Sequence, residues 1–384
     1  MNKPFAVLSF FLLLQACAQV DDYMLGKDNT PKPAVLEPIH PRVKLVETWS
    51  IASGKAAKSS MYLKLKPAVV GDVVYTADAA GMVQAVDKNS ARVLWSKQLK
   101  NGVISGPTVA RGYIALGTNA ATVILLNQTN GEQLWESKVS SDALSKPVIA
   151  NNKVLVKTID GNLFAFGLTS GEKLWVSDHG APPLILKASS SPVIVDKVAL
   201  VGFSDGKLDA IDLDSGSLVW QRGIAYASGA SDVERLVDID ADPIVRGNVA
   251  YLAGYQGYIG ALSLTDGQFI WRKPASTYKN LAMDASTLYM TDSDDVVWAF
   301  DAHNGQVKWK QIALKARSLT EPVLMGNRLV IGDKTGFLHV LSAQTGEFLS
   351  RTQLGGSIDI APAVSGNNLY VMTANGKLNR LSVS

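Results

Sequence analysis

The sequence predicts an all-β fold, a single eight-bladed β-propeller of four-stranded antiparallel blades. Three observations predict it. Tryptophan-marked units recur with anchors at positions 49, 95, 135, 175, 220, 271, 309 and 350, which lie 38 to 51 residues apart. Such a period is the sequence mark of blades or other repeats. Each unit holds four short strand signals bounded by turns. At the two ends of the chain the strands are offset by one, and a closed ring pairs them all.

The first element lies outside the ring. Lys3 precedes an almost wholly apolar run from Phe5 to Leu14. That run falls short of the roughly 20 residues a membrane-spanning helix needs. Residues 1–16 therefore read as a signal peptide. Leu14-Gln15-Ala16-Cys17 follows, and Cys17 is the one cysteine of the chain. A solitary thiol forms no internal disulfide and is a liability in an oxidising compartment unless modified. Residues 17–42, rich in Asp, Pro and Lys, read as a flexible tether, and residues 43–384 as the propeller.

Within the propeller the clearest marker is Gly followed four residues later by Trp. It occurs at Gly131/Trp135, Gly171/Trp175, Gly216/Trp220, Gly267/Trp271 and Gly305/Trp309. Trp49 and Trp95 lack the glycine, and Gly346 is followed at that spacing by Ser350. Alanine stands ten residues before several tryptophans (Ala85, Ala165, Ala210, Ala261, Ala299), and Asp87, Asp212 and Asp301 stand eight before. An indole packed on a neighbouring blade buries about 150–250 Å² at ~25 cal/mol/Å². Trp49, Trp95, Trp135, Trp175, Trp220, Trp271 and Trp309 accordingly read as structural docking residues.

The third unit illustrates the strands. Lys146 to Ala150 is the first, and Lys153 to Thr158 alternates and is rich in β-branched residues. Asp160-Gly161, a strong hairpin turn, leads to Leu163 to Gly167, and Gly171 turns the chain into the strand of Trp175. At the N-terminal end, Lys44 to Ser50 is a tryptophan strand with no three strands before it. At the C-terminal end, Ile358 to Val364, Asn368 to Thr373 and Lys377 to Val383 lack a fourth. The N-terminal strand completing the last blade leaves no open edge.

Charge and motifs exclude several functions. The net charge of +3 is nearly balanced and the basic residues are scattered, so no nucleic-acid stripe exists. His40, His179, His303 and His339 are isolated and read as surface or turn residues, without metal-ligand spacing. Asp292, Asp294 and Asp295 occupy a hairpin-turn position, where Asp bonds its own backbone. No phosphate-binding loop and no nucleophile with its base is visible. Neither catalytic residues nor a cofactor or metal are expected.

The pattern Ala-x-Asp-x-x-x-Gly-x-x-x-Trp, as in Ala210 to Trp220, resembles the tryptophan-docking motif of the pyrroloquinoline-quinone dehydrogenase propellers. The quinone site of those enzymes includes a vicinal disulfide, which this chain cannot make. The segment ending in Cys17 resembles a bacterial lipobox, with Gln15 bulkier than usual. It implies lipidation of Cys17, and Ala18 after it implies sorting to the outer membrane. With the ring and the tether, the chain resembles the BamB family of outer-membrane protein assembly lipoproteins. That resemblance implies a non-enzymatic scaffold of the β-barrel assembly (BAM) complex, lipid-anchored in the outer membrane and facing the periplasm. It implies docking to POTRA domains of the insertase BamA. The other lipoproteins of the complex and unfolded barrel precursors are further expected partners.

Two inter-blade connections depart from the repeat. Residues 176–191 carry the apolar run Pro182-Pro183-Leu184-Ile185-Leu186-Lys187. Residues 221–242 form the longest insertion, where Ser231-Asp232-Val233-Glu234 reads as a capping box and Asp238, Asp240 and Asp242 cluster. Both join a fourth strand to a first, so they leave by one face on neighbouring blades. An apolar anchor rimmed by charge suits docking. The resemblance carries partner contacts onto Leu184, Leu186 and Lys187, and onto Arg235, Leu236, Asp238 and Asp240. Lys187 stands where the family has arginine and loses its planar fork. Other readings stay open: a quinoprotein-like dehydrogenase, a small-ligand binder in the channel, or a sugar-binding propeller.

Overall fold

A computed structural model of the chain describes residues 31–54, 63–182, 184–186, 189–225, 231 and 236–383. The compact unit Ala34–Ser384 is a β-propeller of eight four-stranded antiparallel blades. Blades one to seven span residues 68–98, 103–138, 148–178, 193–223, 244–275, 282–311 and 323–353, with strands in sequence order. Blade eight takes Ala363–Ser365, Asn368–Met372 and Lys377–Val383 from one end of the chain and Leu45–Ala52 from the other. Leu45 lies opposite Val383 and Ala52 opposite Lys377. The N-terminal strand closes the ring as expected.

Burial explains why the strands of a blade read differently. In blade three the second and third strands, Lys153–Lys157 and Asn162–Gly167, are covered on both faces and run almost wholly apolar. The fourth, Lys173–Asp178, is an edge and alternates. The first strands are only two or three residues long in most blades, and six follow a proline: Pro67, Pro147, Pro192, Pro243, Pro322 and Pro362; in blade two Pro107 lies within the first strand. Proline suits an innermost edge strand, where no ladder donor is needed.

The tryptophans fasten each blade to the next. Indole N–H groups donate across the interface from Trp49 to the Lys88 carbonyl, Trp95 to Gln128, Trp135 to Leu168, Trp175 to Leu213, Trp271 to Ala302 and Trp309 to Ala343. The motif glycine serves the preceding blade's tryptophan, not its own. A Cβ on Gly171 would meet the Trp135 ring at 2.7 Å, and Gly171 has φ +68°. The alanine ten residues earlier lies opposite its tryptophan, as Ala165 faces Trp175, while Trp135 faces Leu125.

This geometry accounts for the degenerate copies. Ala91, at φ +62°, holds the glycine position in the turn that receives Trp49. Position 350 needs no tryptophan, because in blade eight the third and fourth strands are the two chain ends and offer no turn to dock on. Trp220 is an exception. The space above Gly267 is taken by Arg222, which donates to the Asp266 carbonyl at 3.1 Å.

The tether expected through residue 42 is already bound at Ala34, whose N–H donates to the Lys315 carbonyl and whose carbonyl accepts from Arg317. The Glu37 carbonyl accepts from Arg351. These arginines are oriented by a buried cluster that the sequence reading missed. Asp333 accepts from Arg317 at 2.7 Å and from His339 Nε2 at 2.9 Å, while His339 Nδ1 accepts from Arg351 at 3.2 Å.

Candidate docking face

The connection from blade three to blade four begins at His179, and that residue is no surface histidine. Its ring stacks on Phe203 with centroids 3.8 Å apart. Nδ1 lies 2.6 Å from Asp209 and Nε2 3.1 Å from Asp205. Burial opposes the charged imidazolium, but the two carboxylates outweigh it and raise the His179 pKa to about 9. Burial likewise opposes charge on Asp205, yet His179 and Lys207 hold it at about 2. The imidazolium thus anchors the start of the loop to blade four. The surface reading is corrected for His179 and for the buried His339; His40 and His303 are exposed.

Beyond that anchor Leu184 is 44 % exposed, while Ile185 and Leu186 are half-buried. Lys187 lies outside the described residues, as do Arg235 and all of the expected capping box except Ser231. Leu236 is half-buried at the return of the second insertion.

The acidic residues are placed otherwise than the sequence suggested. Asp238 and Asp240 are 0 % exposed and cannot rim the surface. The Tyr255 N–H donates to the Asp238 carbonyl at 2.8 Å, and Ile239 fills the space left by the missing side chain of Gly202. Residues 237–241 are therefore wedged between blades four and five. The carboxyl groups of Asp238 and Asp240 act on one another, and Ser204 and the Ile239 N–H favour the charged form of Asp238. Buried Lys157, whose ammonium donates to the Gly202 carbonyl at 2.5 Å, is the cation that acts on both. Burial raises the Asp238 pKa to about 6 against the pull of Lys157. Burial and then the Asp238 charge push Asp240 well above the carboxylate range.

Asp242 joins the two insertions. Its Oδ1 accepts the Ser191 N–H at 2.6 Å and the Lys64 ammonium at 2.7 Å, and its own N–H donates to Asn280 at 2.7 Å. The Lys146 N–H donates in the same manner to Ser191 Oγ at 3.1 Å. The two insertions are thus neighbours at their feet. Lys146, Ser191, Asp242 and Asn280 each stand two residues before a first strand, so the same position recurs around the channel. The X-Pro step that follows Lys146, Ser191 and Asp242, though not Asn280, is the signal that could have found them.

Asp292 accepts the backbone N–H groups of Asp294 and Val296, while Asp295 pairs with Lys279 at 2.8 Å. Among the described residues no group of three His, Cys, Asp or Glu is placed to hold a metal. Cys17 lies outside the described residues.

A family model described as outer membrane protein assembly factor BamB matches residues 79–311 and 313–384. The chain belongs to the BamB family. The BamB of Legionella pneumophila (strain Paris) is 60% identical over 384 residues, covering 100% of both chains. That of Escherichia coli (strain K12) is 30% identical over 375 residues, 95% of this chain and 94% of the relative. In three dimensions the chain is similar to BamB from Moraxella catarrhalis, with TM-score 0.81 at 26% identity over 88% of this chain and 100% of that one. A europium-containing methanol dehydrogenase shares the fold alone, with TM-score 0.73 at 14% identity over 88% of this chain and 93% of that one.

Proposed function

We propose that the protein is a non-enzymatic scaffold of the outer-membrane β-barrel assembly machinery. It docks periplasmic POTRA domains of the insertase through the face bearing residues 179–191 and 224–242. The observation that carries the reading is the Asp242–Ser191 hydrogen bond, which keeps both insertions on one patch. Leu184 supplies exposed apolar surface, Leu186 and Leu236 extend it, and Lys187 and Arg235 supply charge. Asp238 and Asp240 act from beneath, as positioning residues that set the return leg of the second insertion. Family membership supports the reading, because the relatives are named assembly factors. A dehydrogenase reading rests on fold likeness alone.

Cys17 is the lipid attachment point, and it holds the ring at the outer membrane facing the periplasm, beside the other lipoproteins of the complex. The outer edge strands suit unfolded barrel precursors by strand addition, and they expose Leu94, Leu134, Leu174, Val219 and Ile270.

The test is capture of purified insertase periplasmic region by Leu184→Asp and by Leu184→Asp/Leu186→Asp. We expect at least a tenfold weaker Kd with an unchanged unfolding midpoint. Wild-type capture by the folded variants rejects the surface.

A further inference from the structure

We propose that the channel holds a binding site for a small oxyanion, phosphate or carboxylate, with Lys146 as its principal ligand. The site is a cavity of about 300 Å³ lined in part by Lys64, Lys66, Lys146, Asp242, Asn280 and Glu321. Three ammonium groups face two carboxylates there. Lys64 is committed to Asp242 at 2.7 Å and to the Asp240 carbonyl at 3.2 Å. Lys66 lies 3.5 Å from Glu321. Asp242 is further engaged by the Ser191 N–H. The Lys146 ammonium has no hydrogen bond or ion pair among the described residues, although its backbone N–H is fixed by Ser191.

Burial is the largest influence on Lys146 and pushes it below the usual lysine range, and the charges acting on it, Lys66, Asp242, Glu321 and Lys64, all line this cavity. Lys146 is half-buried, and an ammonium partly withdrawn from water without a counter-ion is disfavoured, which a bound anion relieves. The Asn280 oxygen is occupied by the Asp242 N–H, which leaves its amide N–H groups for a ligand oxygen. Lys66, Pro67 and Glu321 also line a second cavity of about 430 Å³, so there is room for an anion larger than phosphate. Lys146, Lys66 and Asn280 lie on neither of the loops carrying Leu184 and Leu236, although Asp242 ends the second of them.

The test is thermal unfolding and titration calorimetry of the full chain with inorganic phosphate, with succinate, and with sodium chloride at matched ionic strength. We expect phosphate, succinate or both to raise Tm above the chloride control with one-to-one stoichiometry. Lys146→Met should lose that response by at least tenfold in affinity, while its own Tm without anion rises. Lys146→Gln serves if the methionine variant does not fold. A response confined to phosphate or to succinate assigns the anion class. Equal responses to all three salts, or an unchanged response in the Lys146 variants, overturns the proposal.

Discussion

The Asp242 carboxylate accepts the Ser191 backbone N–H at 2.6 Å, and so one residue ties the ends of two inter-blade connections. The same oxygen takes the Lys64 ammonium, whose side chain is 8% exposed. Replacing Asp242 by Ala leaves a donor and a nearly buried cation unpaired. We expect Asp242→Ala to cost about 3–5 kcal/mol, and Asp242→Asn, which keeps an acceptor, roughly half of that. Urea unfolding of the two variants measures the difference, and equal losses would show that the N–H contact contributes little.

The acid pair beneath the second insertion gives stability a pH dependence. Asp238 titrates at about 6 in the fold and at roughly 3.9 when unfolded. Between those values the folded state holds the extra proton, so its contribution is complete below about 4 and is lost as pH rises through 6. Asp240, raised in the same direction, adds to the loss. We expect the wild type to be about 2 kcal/mol more stable at pH 5 than this pair allows at pH 7.5. The double change Asp238→Asn/Asp240→Asn should flatten that part of the profile in urea midpoints.

His179 predicts a second, separate window. Its pKa is about 9 folded and roughly 6.5 unfolded. The stabilisation is complete below the unfolded value and disappears as pH rises through 9. His179→Gln should remove a fall of about 2 kcal/mol between pH 6.5 and 9. Proton NMR of the imidazole gives the titration directly, and a midpoint near 6.5 would refute the clasp.

The blade interfaces make a stereochemical prediction. Gly171→Ala brings a methyl group to 2.7 Å from Trp135 at a residue with φ +68°. A loss of about 2–3 kcal/mol follows from overpacking and the left-handed backbone together. Ala91→Gly, at the equivalent turn with φ +62°, should gain about 0.5–1 kcal/mol. Differential scanning calorimetry of the pair decides whether the turn glycine answers to the neighbouring tryptophan.

The architecture was legible because propeller repeats print their geometry as period. Trp175, Ala165 and Gly171 sit at fixed offsets since each meets a fixed neighbour. The closing strand could be found by counting. The candidate site was legible only in outline. The connections lengthened where the repeat broke, but side-chain direction within an irregular segment has no period to read. Asp238 and Asp240 therefore looked like loop acids, although Ile239 packing on Gly202 draws both inward. His179 and His339 misled for the same reason, since their carboxylate partners lie 26 to 30 and 6 residues away with no spacing rule. The channel position of Lys146, Ser191 and Asp242 was readable from the repeated proline that follows it, a signal overshadowed by the tryptophans.

The account turns on Leu184 lying at the insertase interface, and site-specific photocrosslinking in cells tests this most directly. A photoreactive residue replaces Leu184 in one strain and Leu94, 42 % exposed on the outer edge of blade one, in another. The account predicts an insertase crosslink from position 184 and none from 94. Crosslinks from 94 alone, or none from 184 in a folded, membrane-localised protein, would contradict it.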